Sequence, residues 1–175
     1  GSLYAYTEGL SDTQYEQDRY FTPGSALCLL TVRPEGINQE VLIDSKQGVI
    51  RDPDVSYDGK RILFAWKKSD REDDYHLYEM NVDTREIKQI TYGKEVADYE
   101  GIYLPDNDII FSSSRCVQIV DCWFTEVSNL YKCTGDGKYL RRIGFDQVDT
   151  NYPQVLQDGR ITYTRWDYND RGQIF

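Results

Sequence analysis

Short apolar runs alternate with polar turns along this chain, and three of the resulting units match one another. They are Arg51-Asp-Pro-Asp-Val-Ser-Tyr-Asp-Gly-Lys-Arg-Ile-Leu-Phe64, Tyr99-Glu-Gly-Ile-Tyr-Leu-Pro-Asp-Asn-Asp-Ile-Ile-Phe111 and Asn151-Tyr-Pro-Gln-Val-Leu-Gln-Asp-Gly-Arg-Ile-Thr-Tyr163. Each reads as a strand, a turn at Asp-Gly or Asp-Asn, and a second strand. Such turns need positive φ, and Asp-Gly between apolar runs is a strong hairpin signal. The turn aspartates Asp58, Asp106 and Asp158 are spaced 48 and 52 residues apart. A second hairpin follows each unit or precedes the first: 26–41, 76–91 and 129–143. Its anchoring leucines, Leu27, Leu77 and Leu130, are spaced 50 and 53 apart.

Four strands in roughly 50 residues is the period of a β-propeller blade. With strands lettered A to D from centre to rim, the expected fold is all-β, a propeller of four-stranded antiparallel blades. About three blades are present. Residues 1–48 give strands B, C and D of a first blade, with B at 3–7. Residues 49–93 and 94–147 give complete blades, and 148–175 give A and B of a fourth. Propellers close with about four to eight blades, so the chain reads as a partial ring or half of one. Remaining blades or self-association would complete it, because an open arc leaves strand faces and edges exposed.

Composition narrows the partners. The chain has 175 residues and net charge −10, with 30 Asp and Glu against 20 Lys and Arg. That balance excludes nucleic acid, whose affinity rests on cations neutralising phosphates, and anionic membrane surfaces. The mean hydropathy is low, −0.65, yet 15 Tyr, 6 Phe and 3 Trp are too many for a disordered acidic chain. One Met and few Ala disfavour a helix bundle, whereas Tyr, Ile, Val and Thr favour strands. No run approaches the roughly 18 apolar residues of a membrane span. Gly1-Ser2 reads as a cloning remnant, so the lack of a leader carries little weight.

The pattern Pro53-Asp-x-Ser-x-Asp-Gly-Lys-x-Ile-x-Phe64, followed by Leu77-Tyr-x-Met and Gln89-Ile-Thr91, resembles the TolB-type propeller repeat. The pieces Phe111-Ser-Ser-Ser-Arg-Cys116, Asn129-Leu-Tyr131 and Asp158-Gly-Arg-Ile-x-Tyr-x-Arg-Trp-Asp-Tyr168 resemble the propeller of hydrazine synthase alpha-subunit-like proteins. The resemblance implies a large exported bacterial protein, periplasmic or extracellular. Haem chemistry does not carry over: the chain has no Cys-x-x-Cys-His, and its one histidine is His76. No cofactor is expected.

Strands alternate in direction within a blade, so B–C loops and D-to-A connections open on one face. Tight A–B and C–D turns open on the other. The B–C loops are long (8–24, 67–75, 112–128, and a fourth from Arg165), and length gathered on one face of a repeat protein marks its working face. These loops carry Lys67, Arg115, Trp123, Arg165, Trp166 and Tyr168 as candidate ligand-binding residues. Arg offers bidentate donors and flat aromatics stack or anchor interfaces. The expected ligand is an anionic glycan, a carboxylate or a partner protein; ion pairing within the loops is the competing role. Arg115 and Arg165 stand at closely equivalent points after strand B.

Asp52 and Glu100 occupy equivalent starts of strand A near the central channel, with Tyr152 in the next blade. They are a geometric candidate for paired carboxylates, which glycosidases hold about 5 Å apart; capping of the inner strand is the competing role. The acidic run 69–74 offers oxygen ligands for Ca²⁺ but lacks EF-hand spacing, and reads better as a solvated charge run. No metal site and no catalytic residue is assigned: there is no second His, no Cys-x-x-Cys, no Gly-x-Ser-x-Gly and no phosphate loop. Cys116 and Cys122 lie in one loop and are expected to form a local disulfide, as an oxidising compartment allows. Cys28 and Cys133 read as buried small hydrophobes. The chain is expected to be a binding or scaffold module. The alternative is the propeller portion of a larger secreted enzyme, a haem-dependent oxidoreductase or a glycan-active hydrolase, with its chemistry elsewhere.

Overall fold

Four successive antiparallel sheets are laid out along the chain in a computed structural model that describes residues 22–70, 73–120 and 126–166. The first sheet pairs β1 (Ser25–Arg33) with β2 (Gly36–Ser45). The second has the order β3 (Val49–Val55), β4 (Arg61–Lys67), β5 (His76–Asn81), β6 (Ile87–Gln89). The third runs β7 (Asp98–Tyr103), β8 (Ile109–Ser113), β9 (Asn129–Cys133), β10 (Arg141–Arg142), and the fourth pairs β11 (Thr150–Val155) with β12 (Ile161–Arg165). Every strand pairs with its neighbour in sequence. This is the meander of a propeller blade, and the fold is all-β. One 3-10 turn, Ser114–Cys116, is the only helical element among the described residues. None of their helices is long and apolar enough to cross a membrane. The strand expected at 3–7 lies outside the described residues.

The sheets pack face to face, and side-chain alternation along each strand builds the core between them. Ile62, Phe64 and Trp66 of β4 join Leu27 and Ile43 of the first sheet. Leu63 and Ala65, on the opposite side of β4, join Tyr99, Ile109 and Phe111 of the third sheet. Ile110 and Leu130 turn the other way, towards Val155 and Ile161 of the fourth. Strands buried on both faces read as continuous apolar runs, which is why β4 and β8 lack a polar stripe.

The three A–B turns and the C–D turn of the third sheet share one construction. Gly59, Asn107, Gly137 and Gly159 lie in the left-handed region, at φ 70, 67, 82 and 84. Each donates its N–H to a carbonyl three residues back: Ser56, Leu104, Thr134 and Leu156. The preceding aspartates Asp58, Asp106, Asp136 and Asp158 each accept the N–H two residues on. Only the second residue of each Asp-Gly or Asp-Asn pair needs positive φ. The turns are therefore type I turns closed by a left-handed residue, not two-residue turns with both central φ positive.

Among the described residues there is no disulfide. Cys116, expected to bridge to Cys122, is a free thiol. Its Sγ donates to the Val127 carbonyl at 3.0 Å, which aims it into the loop base; Cys122 lies outside the described residues. Cys133 is buried, but Cys28 is only half-buried and accepts from Gln39 Nε2 at 3.3 Å. The acidic run is not simply solvated either. Asp73 accepts the Lys68 N–H at 2.9 Å, and the buried Asp74 accepts the Glu95 N–H at 2.8 Å.

Candidate functional site

Two places gather polar chemistry. The first is the row of inner strands. Asp52, Glu100 and Tyr152 are not at strand starts but inside β3, β7 and β11, and each is left-handed, at φ 52, 54 and 54. At each the pairing register slips, between Arg51 and Asp54, Tyr99 and Ile102, and Asn151 and Gln154. The same bulge thus recurs in three successive inner strands. Left-handed non-glycine residues cost on the order of 1–3 kcal/mol, so a repeated one must be held by its surroundings. Here a carboxylate holds the next strand. Asp52 Oδ2 accepts the Glu100 N–H at 3.2 Å, and Glu100 Oε2 accepts the Tyr152 N–H at 2.8 Å. Asp54 Oδ2 likewise accepts the Tyr103 N–H at 2.8 Å.

Arg51 lies between the two acids. Its Nε is 2.7 Å from Asp52 and its Nη2 3.6 Å from Glu100, and the guanidinium sits over the Tyr75 and Tyr99 rings at 5.8 and 5.1 Å. Burial disfavours the Arg51 charge, but Asp52 and Glu100 outweigh it and hold the group more firmly protonated than usual. Glu100 is only 4% exposed. Burial pushes its carboxyl up to about 7 against the opposing pull of the Tyr152 N–H, Arg51 and Ser112. A pocket of about 170 Å³ opens beside Asp52, Glu100 and Tyr152. Each acid already spends an oxygen on a neighbouring strand, so the pair holds strands together more directly than it presents free carboxylates.

The second place is the face of the long loops. B–C loops and D-to-A connections meet there through backbone bonds: Asp98 N–H to Tyr75 O at 2.7 Å, Thr150 N–H to Ser128 O at 3.0 Å, Ser114 N–H to Ala97 O at 3.0 Å, and Trp166 N–H to Asp149 O at 2.9 Å. Arg115, in the 3-10 turn after β8, grips the fully buried Asp98 through two nitrogens, Nε at 2.9 Å and Nη2 at 2.6 Å. It also donates to the Tyr92 carbonyl. Ser113 Oγ bonds Asp98 at 2.6 Å, and His76 Nδ1 lies 3.6 Å from it. Burial would raise the Asp98 carboxyl, but these partners outweigh it and hold it below the usual range.

The other predicted residues separate. Arg165 ends β12, paired through Nε with Asp146 at 3.0 Å and 55% exposed along its side chain. By strand register Arg165 matches Ser113, since both pair with the first residue of their inner strand. It therefore stands two places before the position of Arg115. Lys67 is fully buried at the end of β4 and Trp166 is half-buried. Trp123 and Tyr168 lie outside the described residues. Sequence reasoning missed Arg51, Asp98 and the inner bulges. Pro53 and Pro153 were the available signal for the bulges, because proline inside a sheet is confined to edges and bulges.

No protein-family model matches the sequence, and no curated protein matches it. Solved structures do. The chain is similar to the putative TolB from Agrobacterium tumefaciens, at 19% identity and TM-score 0.62 over 87% of this chain and 47% of that one. It is similar to TolB from Acinetobacter baumannii, at 19% identity and TM-score 0.57 over 81% and 35%. It is also similar to Kuenenia stuttgartiensis hydrazine synthase, at 18% identity and TM-score 0.69 over 96% and 27%. The fold is a TolB-type β-propeller, and the chain spans less than half the length of each of these proteins.

Proposed function

We propose that this chain is a β-propeller binding or scaffold module of an exported bacterial protein, working in the periplasm or outside the cell. Its ligand is held on the face of the long B–C loops and D-to-A connections and is an anionic glycan, a carboxylate or a protein. The observation that carries the reading is Arg165, a half-exposed arginine at the end of β12 on that face of an acidic chain. It is held through one nitrogen, leaving donors for a carboxylate. Arg115 shapes the loop through Asp98 and serves as a positioning residue.

Amide chemical-shift mapping with polygalacturonate, citrate and Ca²⁺ tests the reading. Saturable shifts around Arg165 and Trp166 are expected with the anions, weakened in Arg165→Gln. Shifts confined to the A–B and C–D turns, or none with any anion or protein ligand, would overturn it. A second reading draws on the likeness to hydrazine synthase: the propeller portion of a larger secreted enzyme, a haem-dependent oxidoreductase or a glycan-active hydrolase. A haem-attachment motif or catalytic domain in the full-length gene product would favour that reading.

A further inference from the structure

The D-to-A connections repeat a feature that the strands do not. Ile90 and Ile143 each donate an N–H to the leucine carbonyl of their own third strand, Leu77 and Leu130, which fixes the two connections in register. Two residues on from these stand Tyr92 and Phe145, equivalent in the two blades and 53 positions apart. Both rings are exposed, at 65% and 77%, on the face that carries Arg115 and Arg165. A large aromatic left in water at the same point of two successive blades calls for a partner.

An arginine stands at each of these residues, on the backbone of Tyr92 and over the ring of Phe145. Arg115 donates to the backbone carbonyl of Tyr92, whose hydroxyl turns back onto the Gln89 carbonyl at 3.2 Å. The Arg142 guanidinium lies 5.1 Å from the centre of the Phe145 ring. Rings fixed this way lose little freedom on binding, which favours affinity. Val117 adds a third apolar group, 87% exposed and left-handed at φ 53, an unfavourable conformation for a β-branched residue. It adjoins Gln118, which accepts from Arg142 Nη2 at 2.7 Å.

The charge of this patch names the partner. Arg142 donates to Gly144 O, Gln118 Oε1, Asn129 Oδ1 and Asp146 O. All four acceptors are neutral, and no ion pair to Arg142 occurs among the described residues. With Arg165 half-exposed beside Asp146, the patch is apolar with a cationic rim on a chain of net charge −10. We infer that Tyr92, Phe145 and Val117 form a docking surface for an acidic, extended protein segment that carries apolar side chains. The aromatics receive the apolar side chains and Arg142 and Arg165 receive the carboxylates. The inference rests on the long-loop face being the binding face, and deepens that reading by choosing a protein among its ligands.

The test uses the whole chain and a fluorescein-labelled twelve-residue peptide alternating Glu or Asp with Leu or Phe. A copy with Lys for every acid is the control. The acidic peptide should bind saturably and weaken as salt rises, while the Lys copy should not bind. Tyr92→Ala and Phe145→Ala should each loosen binding about tenfold, with thermal midpoints close to wild type because both rings are at the surface. Val117→Gly should keep the fold and also weaken binding. Equal binding by the Tyr92→Ala/Phe145→Ala double variant would overturn the inference. A dimer in sedimentation that dissociates on Phe145→Ala would also overturn it, by making a second copy the occupant. If the peptide fails while polygalacturonate still shifts amides on this face, the inference falls and the broader reading stands. If neither perturbs the face, both fall.

Discussion

Glu100 accepts two hydrogen bonds, from Ser112 and Tyr152, with Arg51 3.6 Å away, and yet resists its own charge. Burial sets its folded-state pKa at about 7, above the ordinary 4.5. Between those two values the folded chain keeps a proton that the unfolded chain has lost, so this group's contribution to stability falls as pH rises. It is full below about pH 4.5 and is lost as the pH passes 7, a swing on the order of 3 kcal/mol. Urea denaturation of wild type and Glu100→Gln at pH 5 and pH 8 isolates it: the difference between the two proteins should change across that range. A constant difference would show that Glu100 does not titrate there. Asp98 behaves in the opposite way. Against burial, its carboxylate is kept charged by His76, Arg115 and Ser113, so Arg115→Met should cost about 3 kcal/mol by removing the two-nitrogen grip of the guanidinium. Adding Asp98→Asn should recover much of the loss. A loss under 1 kcal/mol in the single variant would mean that water replaces the guanidinium.

At the level of the element, two blades come into close side-chain contact at Gly101, the second residue of the β7 bulge. A Cβ there would meet Leu63 Cδ2 at 2.9 Å and Leu77 Cδ2 at 3.0 Å. Gly101→Ala is expected to destabilise by about 1–3 kcal/mol through overpacking, read as a lower urea midpoint with unchanged slope; an unchanged midpoint would mean that the leucines yield freely. This bulge was hidden from the sequence. The turns at Asp58, Asp106 and Asp158 were legible because Asp-Gly and Asp-Asn state their backbone requirement locally. No residue type is common to all three bulge pairs, Asp52-Pro53, Glu100-Gly101 and Tyr152-Pro153, although two carry proline, and what holds the second and third comes from the preceding blade. The candidate site was legible in the same uneven way. The long loops and their arginines could be read directly. That Arg115 serves Asp98, 17 residues away, depends on a loop folding back over the start of β7. The matching of Tyr92 with Phe145 lies just beyond the ends of the aligned hairpins, at Thr91 and Ile143.

Across the molecule the interfaces between blades differ in kind. The second and third sheets share a core of thirteen buried apolar residues, whereas the third and fourth share Ile102, Ile110 and Leu130 with three half-buried partners. The rest of that last interface is polar, with Ser112, Ser128, Asn129, Asp149 and Asn151 all buried. Less apolar burial means a lower cost of local opening. Amides of β11 and β12 should therefore exchange with deuterium sooner than those of β4 and β8. Equal protection would place all four sheets in one cooperative unit. The acid at each inner bulge has a consequence for how such chains grow. Asp52 and Glu100 each reach forward to a backbone N–H of the blade that follows, so an added copy brings its own forward fastening. Duplication of a segment bounded by two such acids needs no compensating change elsewhere. At Tyr152 a phenol stands where the acid would be, and whatever blade lies beyond must be secured by other means.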